Sequence, residues 1–170
     1  MGRTDKLERS LGALLEKLTL DFSAADRRAA EVADVLRAAS GTDPDRGGVA
    51  IVAVALDHCY SSIEASLEMI ARVYDTPSPA GADWHRSLLR AMRGATETRP
   101  RVLAPETADG LEDLLAFRHF LRHAYAADLE WNRMRGLAVV LPELLGRVRR
   151  DMESFRDYVA GCLEKAGQGS

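Results

Sequence analysis

Cysteine is scarce in this chain of 170 residues: Cys59 and Cys162 are the two that occur, far apart and outside any CxxC or Cys/His ligand spacing. That excludes a disulfide framework and the common zinc motifs, and leaves free, buried thiols as the expectation. No apolar run approaches the roughly 18 residues of a membrane span, and the charged start MGRTDKLERS lacks the pattern of a secretory leader. A cytoplasmic protein with no membrane partner is expected. Basic excess is missing too, since the formal net charge is −3. The field of the whole protein therefore does not attract nucleic acid, and any such contact must be local. There is no glycine-rich phosphate loop, no internal repeat, no low-complexity tract and no strand signal.

What remains is helical periodicity. From Thr4 to Ala39, apolar residues including Leu7, Leu11, Leu14, Leu18, Phe22, Ala25, Val32 and Leu36 recur at spacings of three and four, the mark of a long amphipathic helix. The run Ser40 to Gly48, SGTDPDRGG, ends it. A second helix is predicted from about Val49 to Tyr74, with Val52, Leu56, Cys59, Tyr60, Ile63, Leu67 and Ile70 inward. After a Pro-rich loop, Asp83 is a plausible N-cap for a short helix to about Arg93. Glu106 and Thr107 open a fourth helix. A fifth, from about Asn132 to Lys165, carries Leu137, Val140, Leu141, Leu144, Leu145, Val148, Met152, Phe155 and Val159, with a kink or break expected where Pro142 interrupts it. The fold class is all-α, an antiparallel bundle of four to five helices. It divides into residues 1–40, an amphipathic helix within or appended to the bundle, and a domain at 49–165.

The stretch that does not fit an ordinary bundle is Phe117 to Tyr125, FRHFLRHAY. At about 100° per residue, Arg118, Arg122 and Tyr125 fall within roughly 60° of one another, on the sector shared by Leu111, Leu114, Leu115 and Leu121. His119 and His123 lie one flank over. Guanidinium groups on an apolar stripe must either pair with carboxylates in the interior, Glu64 being a candidate for Arg118, or open onto a groove. Between Trp84 and Arg135 nine arginines face seven carboxylates, a mildly basic region whose bases all suit bidentate phosphate contacts.

The spacing Arg118-x4-His123-x-Tyr125 is similar to the R-x4-H-x-Y signature of the HEPN superfamily, in particular its HepT-like ribonuclease toxins. LDHCYSSIE at Leu56 to Glu64, DWHRSLLRAM at Asp83 to Met92 and RPRVLAPET at Arg99 to Thr107 resemble one branch of that family. The resemblance covers about half the chain, roughly Ala50 to Arg135. It implies a HEPN-like bundle that dimerises with its motifs facing each other, RNA as substrate, Arg118 at the phosphate and His123 in proton transfer. It also implies a nucleotidyltransferase antitoxin that attaches AMP to Tyr125.

Such chemistry is sensible for these residue types. An RNA 2′-hydroxyl can attack its neighbouring phosphorus when a group near neutrality removes its proton, another protonates the leaving 5′-oxygen, and a fixed cation holds the phosphorane charge. DNA lacks that hydroxyl, and neither a cofactor nor a metal is needed. The i, i+4 pair His119 and His123 has no evident third ligand. His119 departs from the small polar residue frequent after the motif arginine, and reads as a second acid or base or as a packing histidine. Arg122 either helps bind phosphate or pairs with Glu112 or Asp128. Trp84, His85 and Tyr60 read as core or helix-start residues. Five residues along a regular helix place Arg118 and His123 roughly 140° apart, so either the helix distorts near Leu121 or two chains build the site. The alternative class is a non-catalytic HEPN module that binds RNA, a nucleotide or a partner protein, which the acidic net charge and the additional N-terminal helix favour.

Overall fold

In a computed structural model the protein is described over residues 3–75, 81, 83–123 and 129–168. Five helices follow one another: α1 Arg3–Ala39, α2 Arg46–Tyr74, α3 Trp84–Met92, α4 Pro105–His123 and α5 Trp131–Gln168. No strand occurs among the described residues, so the chain is an all-α bundle.

α1 ends where Ser40 and Gly41 take positive φ, 49° and 86°, a left-handed close that glycine adopts without strain. α2 starts cleanly because the Asp45 carboxylate accepts from the Gly48 amide at 2.7 Å, satisfying a donor with no intrahelical partner. The two helices form an antiparallel pair, as their contacts show. Val35 lies beside Gly48, and Asp21 accepts from the Ser66 hydroxyl at 2.8 Å. Leu11, Leu14, Leu18, Ala25 and Val32 of α1 are buried with the rest of the core. α1 thus packs into the same core as the other helices.

α2 is the central element, packed against α1, α3, α4 and α5. It is long and apolar enough over 18 residues to match a membrane span by composition, contrary to the sequence reading, and half of that window is buried inside the bundle. The Cys59 thiol lies in this interior, where burial and then the Asp26 charge push its pKa up to about 12. α5 returns antiparallel to α4, with Ala104 donating to Asp151 at 2.9 Å and Gly110 placed against Leu144.

Three sequence expectations are corrected. Asp83 precedes α3 but makes no side-chain cap bond. Val140, expected inward, is 47% exposed, while Trp131, Met134 and Ala138 face the core. Of the kink or break expected at Pro142, the break does not occur, since α5 runs on through it. A proline removes one helical hydrogen bond, and the flanking buried residues Leu141, Leu144 and Leu145 hold the helix together by packing. Between α3 and α4 the chain is pinned by Arg99, 2% exposed. Its guanidinium is bidentate to Asp75 at 2.8 Å and donates to the carbonyls of Ala91, Gly94 and Pro100.

Candidate functional site

α4 lays Leu111, Leu114, Leu115, Phe117 and Arg118 on its buried side. A charged residue in that row needs partners in the interior, and α2 provides them. Asp57, Ser61 and Glu64, spaced i, i+4 and i+7, share one face of α2 opposite Arg118. Arg118 Nη1 donates to Glu64 Oε2 at 2.8 Å and to Ser61 Oγ at 3.0 Å. Its Nε lies 3.6 Å from Asp57 Oδ1, and the guanidinium carbon sits 5.5 Å from the centre of the Tyr60 ring. Burial, then the Glu64 charge, raises the pKa of the Tyr60 hydroxyl. The other Glu64 oxygen, Oε1, makes a short contact with His85 Nδ1 from α3. One carboxylate therefore joins three helices.

Of the two alternatives for Arg118, pairing in the interior or opening onto a groove, this geometry shows the first. The residue is 8% exposed and paired with the Glu64 carboxylate within a single chain. Among the described residues Nη2 makes no hydrogen bond, so one edge of the guanidinium is uncommitted. Arg122 is exposed, not aligned with the buried stripe, and forms no ion pair with Glu112, whose carboxylate lies 3.9 Å from Arg93 Nη1 instead.

His119 and His123 are both on the exposed side. His119 meets the edge of His85 with ring centroids 5.9 Å apart. Desolvation first, then the positive charges of His85, Arg118, Arg122 and Arg86, lower its pKa from 6.5. His123 Nδ1 lies 2.7 Å from the His119 carbonyl oxygen. A carbonyl only accepts, so Nδ1 carries a proton, and in the neutral ring Nε2 is then the nitrogen with the lone pair. α4 is helical throughout Pro105–His123, so there is no distortion at Leu121, and the buried arginine and the exposed histidine look in different directions. Tyr125 and Asp128 lie outside the described residues.

Asp57, Ser61 and His85 were not singled out as site residues from the sequence. The i, i+4, i+7 polar face within LDHCYSSIE was the available signal for the first two. For His85 the residue lies 21 positions from Glu64, and only the packing of α3 on α2 brings them together. Trp84 stacks on His85 at 3.9 Å between ring centroids, and Tyr60 is buried as expected. No cluster of three His, Cys, Asp or Glu side chains suited to a metal ion exists among the described residues.

Within this all-helical bundle α4 ties an arginine to α2 and carries a histidine five residues further on at its end. A model of the HepT-like protein family matches residues 51–159, from within α2 to within α5. The chain belongs to the HepT-like family. No curated protein and no solved structure shows a significant match to it. α1 lies outside the matched region although it contributes to the same core.

Proposed function

We propose that this protein is a metal-independent endoribonuclease, the toxin of a toxin and antitoxin pair, acting as a cytoplasmic homodimer. The observation that carries the reading is the state of His123: exposed, at the end of α4, with Nδ1 held by its own helix and Nε2 free to take a proton. Nε2 accepts the proton of an RNA 2′-hydroxyl, and that oxygen attacks the adjacent phosphorus. The bond to the 5′-oxygen breaks, the leaving oxygen is protonated, and a cyclic phosphate remains. Arg118, through its uncommitted Nη2 edge, and the exposed Arg122 are the groups for the phosphorane charge, because a guanidinium stays charged and matches phosphate oxygens.

Along a regular helix the two motif residues stand roughly 140° apart, so one α4 does not present both to one phosphate. A two-fold pair of chains supplies a second copy of each group, and the second copy's His123 is then the acid for the leaving oxygen. His119, whose pKa is lowered by desolvation and then by its cationic neighbours, fits a base or a hydrogen-bond acceptor better than an acid. For the antitoxin we propose a small nucleotidyltransferase that attaches AMP to Tyr125, two residues beyond His123.

Purified protein incubated with single-stranded RNA in EDTA is expected to yield fragments, and His123→Ala and Arg118→Ala to abolish them. Cleavage that survives both substitutions ends this reading. One observation favours a second: the pairing of Arg118 inside its own chain suits a non-catalytic HEPN module that binds RNA, a nucleotide or a partner. Overexpression of the wild-type chain without effect on growth, together with intact RNA in vitro, would favour that alternative.

A further inference from the structure

Where α2, α3 and α4 converge, two potential cations meet one carboxylate. Glu64 Oε2 is held by Arg118 Nη1, and Oε1 by His85 Nδ1. The side chains are 7% exposed for Glu64, 9% for Arg118 and 14% for His85. A carboxylate held on one oxygen can still turn about its terminal torsion, which is broad and has no deep wells. Held on both, its plane is fixed, and so is the guanidinium that donates to it. The imidazole is itself fixed. Its face is covered by Trp84 and its edge is met by His119.

An alternative partner for Glu64 stands nearby. The Tyr60 hydroxyl is buried without a well-formed hydrogen bond, yet it stands close enough to Glu64 for that carboxylate's charge and hydrogen bonding, after burial, to raise its pKa. Without His85, the Oε1 atom is free to turn fully toward that hydroxyl and draw the carboxylate away from Arg118. A buried donor left unmatched costs about 1–3 kcal/mol, which favours that move.

We infer that His85 is a positioning residue: through Glu64 it sets the orientation of the Arg118 guanidinium, tying α3 to the ribonuclease site. The inference rests on the ribonuclease reading above for its catalytic consequence. His85 touches no substrate. Its effect is carried by Nδ1 alone, which makes the test specific. Asparagine places its amide nitrogen near the position of imidazole Nδ1, glutamine near that of Nε2, and leucine has no donor.

The full chain and its His85→Asn, His85→Gln and His85→Leu variants are compared in cleavage of single-stranded RNA with EDTA, and by NMR of the Arg118 guanidinium, assigned with Arg118→Lys. The expected result is a kcat within about 3-fold of wild type for Asn and a loss of about 10-fold or more for Gln and Leu, with KM changed less than about 2-fold in all. Arg118 resonances should be sharp in wild type and Asn, and rotationally averaged in Gln and Leu. Equal kcat for Asn and Gln, a loss confined to KM, or guanidinium signals indifferent to residue 85 would overturn the inference. If the wild-type chain cleaves no RNA while the Arg118 signals follow the Asn and Gln pattern, the ribonuclease reading fails and the positioning of Arg118 by His85 stands.

Discussion

Replacing Glu64 by alanine removes the carboxylate and leaves Arg118 charged and largely buried, the side chains of the pair being 7% and 9% exposed. Breaking a buried pair from one side costs about 3–5 kcal/mol, because the remaining charge keeps its desolvation penalty without its partner. Asp57, 3.6 Å from Arg118 Nε, softens this without replacing the lost hydrogen bond. At about 2.1 cal/mol/K of unfolding entropy per residue, a chain of 170 residues should lose about 8–14 °C in Tm. Glu64→Gln keeps an acceptor for Arg118 Nη1 and should lose about 1–2 kcal/mol. The double replacement Glu64→Leu with Arg118→Leu should recover most of the loss, since a buried ion pair exchanged for apolar groups is often near neutral. Urea denaturation followed by circular dichroism measures the wild type and these three variants. Arg149→Ala is the control. Its ion pair with Asp26 spans the surface, with side chains 52% and 42% exposed, and should contribute less than about 1 kcal/mol. If Glu64→Ala costs no more than Arg149→Ala, the pair is not a buried anchor and the argument for how α4 is held against α2 is wrong.

Two further outcomes follow from the same geometry. His119 has its folded pKa lowered from 6.5 by desolvation and by neighbouring cations, so the unfolded chain binds the proton more readily. Its contribution to stability is present above about pH 6.5 and declines as the pH falls through that unfolded value. An NMR titration midpoint for His119 at or above 6.5 would contradict the cationic cluster. At Gly110 an added Cβ would lie 2.6 Å from Leu144 Cδ1, and Leu144 is only 1% exposed with little room to give. Gly110→Ala should therefore destabilise by about 1–3 kcal/mol, whereas Gly136→Ala, with no atom within 4 Å, should stabilise by about 0.5–1 kcal/mol through helix propensity. Equal urea midpoints for the two variants would refute the close approach of α4 and α5.

The sequence by itself determined the five helices and most of their inward faces. Apolar spacing of three and four is a local property of the chain, and Leu11, Leu14 and Leu18 or Leu141, Leu144 and Val148 announce a buried stripe without reference to anything distant. The stop in the run Ser40 to Gly48 was equally legible, because breaker residues act through their own backbone, although its last three residues, Arg46 to Gly48, open α2. Legible too was that Arg118 had to be answered, since a guanidinium among leucines is unstable alone. Only the tertiary structure decided how. Glu64 lies 54 positions from Arg118 and Ser61 lies 57, and their meeting depends on the way α2 and α4 pack, which no local pattern records. The same holds for His85, carried to Glu64 by the seating of α3. Arg122 and Val140 turned outward for the converse reason. A helical wheel reports an angle about one axis, whereas exposure depends on where the neighbouring helices stop.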